Sequence, residues 1–293
     1  MPIINQDLTG KTVVITGASS GIGAVAARRL AQRGATVVPV GRSPAAMAAI
    51  AADVGAEPLT VDYARLADVR ALAQQLLERY PRIDVLAHNA GGMFGERRVT
   101  EDGHELTMQV NYFAPFLLQH LLHDRLSRSG AHIVVTSSVA HRGGRIDLND
   151  LDFTNGRHSG SSAYNASKLA DLLFAREIAR RTPQTRITAV AFHPGNVSSG
   201  VGREASGLMG LIYNTPIGRP MLIDAEKGAA PLVHLASLAD PHSVNGQYFN
   251  KLKPNAATSK RARDAELGKA LWKQTETLLG LHAASDQHAA PRE

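Results

Sequence analysis

The sequence predicts an α/β fold with a doubly wound, mostly parallel sheet of seven strands and helices on both faces. Short unbroken runs of β-branched and apolar residues, beginning with residues 12–15 (TVVI), are typical of strands buried on both faces of a parallel sheet. Segments with helical periodicity separate successive runs, and this alternation predicts β-α-β crossovers. Polar and glycine-rich residues follow the runs, at the sheet edge where such folds bind ligands.

The predicted elements alternate along the whole chain. Six strands and a short seventh are predicted at residues 12–15, 36–40, 57–61, 84–87, 131–136, 187–192 and 247–250. Helices are predicted where apolar residues recur at helical spacing, at residues 24–33, 44–54, 66–80, 105–126, 163–181, 225–236 and 259–279. The polar, glycine-rich stretch between the fifth strand and Ser162 predicts a loop.

Composition limits the classes of function. Of the 293 residues 44% are hydrophobic and 20% are charged, as in globular domains, and the absence of cysteine excludes disulfides and thiolate chemistry. The chain has no run of 18 apolar residues, so no membrane span is predicted. Asn5, Gln6 and Asp7 stand where a secretory signal needs apolar residues. We therefore expect a cytoplasmic protein without a membrane anchor. The net charge of +6 comes from scattered basic residues, which favours an anionic cofactor over nucleic acid.

A glycine-rich turn, TGASSGIG at residues 16–23, joins the first strand to the first helix. Gly17 permits the tight turn, Gly21 lets the main chain approach a pyrophosphate, and Gly23 lets helix and strand pack closely. The helix N-terminus offers N–H groups to phosphates. This context predicts a Rossmann fold that binds a dinucleotide through Gly17, Ser19, Ser20, Gly21, Ile22 and Gly23. The spacing differs from G-x-G-x-x-G, so a turn without a ligand is the alternative.

The end of the second strand indicates which dinucleotide binds. An NAD site usually has Asp or Glu there for the ribose 2′-hydroxyl, whereas an NADP site offers an Arg. Here Arg42 can bind a 2′-phosphate and no carboxylate repels it, which predicts NADP(H) in preference to NAD(H). The alternative is a loop residue that faces solvent. Further cofactor contacts are expected after the third and fourth strands, from Asp62, Tyr63, Asn89, Ala90 and Gly91.

One short motif, Tyr164-Asn165-Ala166-Ser167-Lys168, indicates a reaction. Ser161 and Ser162 are good helix caps, so we expect Tyr164 to open a helix and to share one face with Lys168. An ordinary tyrosine has a pKa of about 10, and a nearby cation lowers such a pKa toward the working range of a general acid or base. The alternative is an ordinary exposed helix start, because Y-x-x-x-K alone is a common pattern.

Other polar residues lie within apolar segments. Asn111 stands in the largely apolar stretch at 110–122, where a buried amide needs hydrogen-bond partners, and we expect it to brace the main chain. His120 and His123 have helical spacing but no third ligand, so no metal site is predicted. We interpret His120, His123 and His141 as surface or core residues, and His193 as a packing residue beside the cofactor loop.

With these residues in place, the chain resembles the short-chain dehydrogenase/reductase family. The matches cover about residues 10–250 in the family's order and comprise the turn at 16–23, Asn89-Ala90-Gly91, Asn111, Ser138, Tyr164 with Lys168, and Pro194-Gly195. Finer resemblance points to the retinol dehydrogenases and their bacterial relatives. It rests on the long interval from Ser138 to Tyr164, SSVAH at 137–141, His193 before Pro194, and GQYF at 246–249 before a helix with Leu271-Trp272. Two residues depart from the family pattern: His88 stands where Asn is frequent, and Ser199 where Thr is frequent.

The resemblance implies an NADP(H)-dependent oxidoreductase with a tetrad of catalytic residues. Tyr164 would exchange a proton with a carbonyl or alcohol as hydride passes to or from the nicotinamide. Lys168 would support the tyrosine and hold the nicotinamide ribose. Ser138 would bind the substrate oxygen, and Asn111 would hold a water in a proton relay. Tyr164 and Lys168 would also contact the cofactor, as would Pro194, Gly195, Val197 and Ser199.

The sequence predicts one domain over residues 1–281 and a disordered tail at 282–293, where the residues are small, polar and without periodicity. The resemblance implies two further segments. Residues 198–224 would form a substrate lid, and 251–281 a C-terminal helical extension. The apolar content of the lid predicts a hydrophobic substrate. The alternative is that the lid packs on the protein's own core or on another subunit. Family members often form dimers or tetramers through the helices bearing Asn111 and Tyr164, a surface that the extension could cover.

The sequence leaves two functions other than catalysis as alternatives. The first is a redox sensor that binds the nucleotide without turnover, and the second is an interaction protein that uses the lid as a partner surface. Such sensors typically lose the Tyr or the Lys, whereas both residues are present here. The sequence therefore favours the enzyme.

Overall fold

The computed structural model of the protein describes residues 6–156, 158–197 and 223–281. It contains a seven-stranded parallel sheet of order β3-β2-β1-β4-β5-β6-β7, which confirms the predicted doubly wound fold. The strands are β1 Thr12–Thr16, β2 Thr36–Gly41, β3 Leu59–Thr60, β4 Val85–His88, β5 His132–Thr136, β6 Thr188–His193 and β7 Tyr248–Asn250. Ser199, nearly all of the predicted lid and the predicted tail lie outside the described residues.

Helices and short turns connect the strands. The α-helices are α1 Gly21–Ala31, α2 Pro44–Val54, α3 Leu66–Arg79, α4 Leu106–Met108, α5 Ala114–Leu121, α6 His123–Ser129, α7 Gly160–Arg180, α8 Thr182–Thr185, α9 Ala225–Ala236 and α10 Ala265–Leu278. A π-helical turn spans Gln109–Phe113, and 3₁₀ turns span Val139–Gly143, Pro241–Val244 and Arg261–Arg263. Within the described ranges, no helix has the length and apolar character needed to cross a membrane.

The sheet divides the hydrophobic core into two layers. Side chains alternate along β1, so Val13 and Ile15 pack in the layer that contains Leu30 of α1, while Val14 packs in the opposite layer. Helices α1, α2 and α9 cover the first layer, and α3, α5, α7 and α10 cover the second. Burial on both faces explains why each strand is an unbroken apolar run.

The prediction of one continuous helix at residues 105–126 is wrong. It is divided into α4, the π-helical turn, α5 and α6, with Asn111 at the centre of the π turn. Pro115 contributes to this break because it has no N–H to donate to a carbonyl in the preceding turn. The N–H of Ala114 instead donates to the carbonyl of Gln109, five residues back. A π turn of this kind is frequent at functional sites.

Helix α7 begins earlier than predicted. Its N-cap is Ser159, whose hydroxyl accepts from the N–H of Ser162 at 3.1 Å, while the Ser162 hydroxyl accepts from the N–H of Ser159 at 3.1 Å. This reciprocal capping box fixes the start of the helix. Ser161 and Ser162 therefore lie inside the first turn, and Tyr164 lies just beyond that turn.

The C-terminal segment covers helices α5 and α7. The predicted helix at 259–279 consists of a 3₁₀ turn followed by α10, which begins after Asp264 because its carboxylate caps the N–H of Leu267 at 3.0 Å. Trp272 of α10 packs edge-on against Phe116 with ring centroids 4.7 Å apart and stacks on Phe174 at 5.8 Å. The extension therefore buries an aromatic surface of the main domain.

Candidate active site

The predicted site residues gather at the carboxyl edge of the sheet. The strand order reverses between β1 and β4, and ligands of open α/β sheets bind at such a switch point. The glycine turn follows β1, the Asn89 segment follows β4, and Ser138 follows β5. Residues far apart in sequence are thus brought to one crevice.

The glycine turn leaves space for a ligand at the start of α1. Gly17 and Gly21 have φ values of 68° and 55°, in the left-handed region that glycine tolerates best. A Cβ on Gly23 would lie only 2.3 Å from the Gly17 carbonyl oxygen. The N-cap Ser20 makes no side-chain hydrogen bond to the helix, so the first N–H groups of α1 are not capped by that side chain and can bind an anion.

Thr16 and Asn89 connect the turn to the neighbouring strands. The Thr16 hydroxyl accepts from the N–H groups of Asn89 and Ala90 at 3.0 and 3.1 Å and donates to the Ala87 carbonyl at 3.1 Å. The Asn89 amide donates to the Thr16 carbonyl at 3.0 Å and accepts from the Thr136 hydroxyl at 3.2 Å. Asn89 is therefore a structural link among β1, β4 and β5.

Arg42 follows β2 close to the glycine turn. A Cβ on the preceding Gly41 would lie 3.1 Å from the Cβ of Ser19, which shows how near the two segments are. The Arg42 side chain is exposed and makes no hydrogen bond or ion pair within the described part of the chain. The adjacent Ser43 is occupied in capping α2. The guanidinium is available to an anionic ligand.

Asp62 and Tyr63 have local structural contacts. The Asp62 carboxylate accepts from the N–H of Ala64 at 3.0 Å, and the Tyr63 side chain is buried in the core beside α3. Burial raises the pKa of Tyr63, so its phenol stays neutral. Any cofactor contact by Tyr63 would therefore use its main chain.

Asn111 faces the loop after β4. Its Oδ1 accepts from the N–H of Gly92 at 2.8 Å, and its Nδ2 donates to the Gly92 carbonyl at 2.9 Å and to the Ser167 hydroxyl at 2.9 Å. The predicted main-chain brace is present. Both hydrogens of the side-chain amide are engaged by these contacts, one of them with Ser167 on α7.

Lys168 is buried beside Tyr164. Its Nζ lies 5.7 Å from the centroid of the Tyr164 ring, donates to the Thr136 carbonyl at 3.1 Å and forms an ion pair with Asp171 at 2.8 Å. The Lys168 carbonyl accepts from the Ser137 hydroxyl at 2.8 Å, which ties α7 to the end of β5. These contacts fix the ammonium group at the sheet edge.

Ser138 starts the 3₁₀ turn after β5. Its hydroxyl accepts from the N–H of Ala140 at 3.2 Å, which leaves the hydroxyl proton available to a ligand. The ring Nδ1 of buried His141 lies 2.6 Å from the Ser138 carbonyl oxygen. This contact makes Nδ1 the protonated nitrogen, because a carbonyl oxygen only accepts hydrogen bonds. His141 therefore orients the Ser138 main chain.

The segment after β6 closes the other end of the crevice. Gly195 has a φ of 101°, and a Cβ there would lie 2.8 Å from the Ile223 side chain. Val197 is buried and pairs with Ile223 in an isolated parallel bridge. Pro194, Gly195 and Val197 thus lie at the sheet edge where their family role was expected. The packing interpretation of His193 agrees with its burial, which lowers the pKa of this residue to about 4.

Four supporting residues were not predicted from the sequence: Thr16, Ser137, Ser167 and Asp171. For Asp171 a signal was available, because a carboxylate three residues after Lys168 falls on the same helix face within an otherwise apolar stretch. The other three act through tertiary hydrogen bonds that no local pattern indicates. Over the described ranges, no three His, Cys, Asp or Glu side chains come together as a metal site.

Comparisons with known proteins identify the family of this chain. The family model described as short chain dehydrogenase matches residues 11–207. The "Putative daunorubicin C-13 ketoreductase DnrU" of Streptomyces sp. (strain C5) is 41% identical over 279 residues, which cover 93% of this chain and 94% of that protein. Human retinol dehydrogenase 13 is 36% identical over 290 residues, with 95% and 87% covered.

A solved structure is also similar to this chain. The Pseudomonas aeruginosa RhlG/NADP active-site complex has a TM-score of 0.67 and 26% sequence identity, and the alignment covers 85% of this chain and 97% of that chain. The chain belongs to the short-chain dehydrogenase/reductase family, in the branch that includes the retinol dehydrogenases, and is an oxidoreductase that interconverts alcohols and carbonyls with a nicotinamide cofactor.

Proposed function

We propose that the protein is an NADP(H)-dependent carbonyl reductase or alcohol dehydrogenase that acts on a hydrophobic small molecule, with Tyr164 as general acid and base. The observation that carries this proposal is the buried ammonium of Lys168, held 5.7 Å from the centroid of the Tyr164 ring. A cation at this position favours the phenolate form of a tyrosine. Such a pair suits proton exchange with a substrate oxygen.

The residues present fit a bound dinucleotide. The glycine turn leaves no room for a side chain at Gly23, and the first N–H groups of α1 suit a pyrophosphate. Arg42 would bind the 2′-phosphate, and one N–H of Lys168 has no acceptor within the described part of the chain and would bind the nicotinamide ribose. The cofactor, when bound, supplies or accepts the hydride.

The protein's own groups would manage the proton and the substrate oxygen. In reduction, the Tyr164 hydroxyl would donate its proton to the carbonyl oxygen, while the Ser138 hydroxyl donates a hydrogen bond to the same oxygen and orients it. In oxidation the proton would return to Tyr164. Because the side-chain amide of Asn111 is engaged by Gly92 and Ser167, a relay water at this residue would bind the main chain of the π turn.

Two observations support a hydrophobic carbonyl or alcohol as substrate. The predicted lid is rich in apolar side chains. The relatives are named for retinol, an apolar alcohol, and for a ketone of daunorubicin. The alternatives are a sensor that binds NADP(H) without turnover and an interaction protein, and the intact set of Asn111, Ser138, Tyr164 and Lys168 argues against both.

The test is NADPH oxidation by the purified protein with a panel of apolar aldehydes and ketones, for the wild type and Tyr164→Phe. We expect turnover by the wild type and a loss of at least about 100-fold in Tyr164→Phe, with NADPH affinity retained. Tyr80→Phe, on a half-buried tyrosine after α3, is the matched control and should behave as wild type. Unchanged turnover in Tyr164→Phe would remove the mechanism. NADPH binding without turnover across the panel would favour the sensor.

A further inference from the structure

The catalytic lysine has a buried anionic partner. Lys168 and Asp171 are 5% and 3% exposed, and their Nζ and Oδ2 atoms are 2.8 Å apart. Both residues lie on α7, three positions apart, with Asp171 in the turn that follows Lys168. A buried carboxylate has no solvent to compensate its charge, so it acts strongly on the nearest titratable groups.

The contacts of Lys168 show what the carboxylate does to the ammonium. Of its three N–H groups, one donates to the Thr136 carbonyl and one to Asp171, and the third has no acceptor in the described ranges. Two fixed acceptors, one on β5 and one on α7, restrict where Nζ can lie. The remaining N–H is the donor expected to bind the cofactor ribose.

We propose that Asp171 is a positioning residue of the active site, whose buried carboxylate holds the Lys168 ammonium in place and opposes the loss of protons from Lys168 and Tyr164. The proposal rests on the proposed function, because it assigns Asp171 to the same Tyr164 and Lys168 pair. It adds a fifth ionisable or polar group to the set implied by the family resemblance.

The charge balance around the pair supports this role. Burial disfavours the charged form of Lys168, yet the Coulombic attraction of Asp171 and Tyr164 and the Asp171 hydrogen bond hold the pKa of Lys168 above its usual value. Burial in turn raises the pKa of Asp171 to about 6, against the opposing effect of Lys168. Asp171 is thus an anion at neutral pH and becomes neutral in mild acid.

Two titratable neighbours of the pair in the described chain are neutral near pH 7. Tyr112, on the π turn, faces Asp171, and burial raises the pKa of its phenol, so it stays neutral. His88 at the end of β4 packs on Phe174 of α7, and burial lowers its pKa to about 4, so it is also neutral near pH 7. Within the described chain, these two neighbours therefore add no charge beside Lys168 and Asp171.

The expected sign follows from the charge that is removed. Removing a negative charge makes proton loss easier for a neighbouring group. In Asp171→Asn, Lys168 therefore deprotonates at lower pH, and Tyr164 forms phenolate at lower pH as long as Lys168 keeps its proton. Reduction requires both protons, so the alkaline limb of its pH profile should move to lower pH, by on the order of one pH unit. Below about pH 6 the wild-type carboxyl is itself neutral, and the two profiles should converge.

The test measures the ionisation of Tyr164 without requiring a substrate. The phenolate absorbance of each protein is titrated with base, and the titration of the matching Tyr164→Phe variant is subtracted, for the wild type and for Asp171→Asn. The alkaline limb of NADPH-dependent reduction is measured in parallel. We expect both midpoints to be lower in Asp171→Asn by on the order of one pH unit.

The matched control is Glu177→Gln, which removes a buried carboxylate from the same helix. Glu177 is 3% exposed and pairs with Arg180 and Arg181 at 2.6 and 2.8 Å, away from Lys168. The Glu177→Gln variant should leave both midpoints unchanged. Asp171→Glu, which keeps the charge, should return them toward the wild type, and thermal melting of each variant shows whether it is folded. If Asp171→Asn does not fold, Asp171→Ser provides the same loss of charge.

The outcomes separate this proposal from the proposed function. A lower Tyr164 midpoint with no turnover on any substrate would support the role of Asp171 and count against the proposed reaction. Turnover that depends on Tyr164, with unchanged midpoints in Asp171→Asn, would overturn the role of Asp171 and leave the reaction standing. An equal shift in Glu177→Gln would also overturn it, because the effect would then be one of net charge.

Discussion

The side chain of Asn111 binds both main-chain polar groups of Gly92. Its Nδ2 donates to the Gly92 carbonyl at 2.9 Å, and its Oδ1 accepts from the Gly92 N–H at 2.8 Å. The second hydrogen of Nδ2 reaches Ser167 on α7 at 2.9 Å. One buried amide therefore connects the loop after β4, where cofactor contacts are expected, with the helix that bears Tyr164 and Lys168.

Replacing this amide should damage both stability and cofactor binding. Asn111→Ala leaves the Gly92 N–H and carbonyl without their partners in a half-buried setting, at a cost of about 1–3 kcal/mol for each unsatisfied group. We expect the free energy of unfolding in urea to fall by about 3 kcal/mol and the Kd for NADPH to rise about tenfold as the loop loses its support. Asn149→Ala, at an exposed amide in the loop before α7, should change neither quantity. Wild-type stability in Asn111→Ala would contradict the brace.

Gly23 should tolerate no side chain. A Cβ there would lie 2.3 Å from the Gly17 carbonyl oxygen and 2.8 Å from the Asn89 amide nitrogen, and the first of these atoms belongs to the main chain. Gly23→Ala must therefore displace the turn or the helix, at a cost of about 1–3 kcal/mol. We expect calorimetric titration to show at least about tenfold weaker NADPH binding, because about 1.4 kcal/mol corresponds to tenfold in affinity. Gly156→Ala, where a Cβ meets nothing within 4 Å, is the control. Equal NADPH binding in both variants would show that the glycine turn does not form the NADPH site.

Local signals predicted the fold best where one residue settles a boundary. The bounds of α2 and α9 agree with prediction because Ser43 and Asp224 cap their first turns, and Gly55 ends α2 in the left-handed conformation. The prediction was poorer where tertiary contacts decide. The edge strand β3 is shorter than expected, since only β2 pairs with it, and the π turn at Asn111 coincides with the contacts of its side chain to Gly92 and Ser167.

The candidate site shows the same contrast between residues recognised from local signals and residues whose roles depend on tertiary contacts. Tyr164 and Lys168 were recognisable because four residues of helix place two side chains together. The glycine turn was recognisable because strand, turn and helix are contiguous. The roles of Thr16, Ser137 and Ser167 depend on partners that are 31 or more positions away in sequence, and only the packed sheet brings such groups together.

Trp272 should control whether α10 stays on the domain. Its ring packs against Phe116 and Phe174, and the Arg181 guanidinium lies 4.1 Å from its centroid. Trp272→Ala removes these contacts, and large-to-small changes of aromatic residues cost about 3–5 kcal/mol when buried. We expect a loss near about 3 kcal/mol because Trp272 is half-buried, together with self-association detected by light scattering as the aromatic surface of α5 and α7 opens.

The control for this prediction is Lys273→Ala, at the exposed neighbouring position on α10. It should melt as the wild type and stay at the wild-type size. Trp272 is the only tryptophan of the chain, so its fluorescence also reports when α10 leaves the domain during unfolding of the wild type. A Trp272→Ala variant with unchanged melting and size would show that α10 is held by other contacts.

Buried histidines predict a loss of stability in acid. Burial lowers the pKa of His88 to about 4, of His132 to about 3 and of His193 to about 4. An unfolded histidine titrates near about 6.5, so below that pH only the unfolded chain takes up these protons until the folded values are reached. The contribution of these histidines to the free energy of unfolding is therefore fully present above about pH 6.5 and falls as the pH drops toward 4. Asp171 opposes the loss below about pH 6, because its raised pKa lets the folded state bind that proton first.

His88→Leu tests this acid sensitivity. Neither ring nitrogen of His88 has a hydrogen-bond partner in the described ranges, so an apolar residue of similar volume should be accepted. We expect the stability difference between neutral pH and about pH 5 to shrink by about 2 kcal/mol, at 1.36 kcal/mol for each pH unit below about 6.5. Exposed His123→Gln should keep the wild-type difference. The same pH dependence in His88→Leu and wild type would contradict a depressed His88 pKa.

Arg42 should determine the preference for NADPH over NADH. The side chain is exposed beside the glycine turn, and a charge-assisted contact to a 2′-phosphate contributes about 1.5–3 kcal/mol. We expect Arg42→Ala to raise the Kd for NADPH about 10–100-fold in calorimetric titrations and to leave the Kd for NADH nearly unchanged, since NADH has no phosphate at that position. Arg70→Ala removes the same charge from the surface of α3 near His120, far from the turn, and should leave both affinities alone. Equal losses for NADPH and NADH in Arg42→Ala would mean that Arg42 supports the turn and does not read the phosphate.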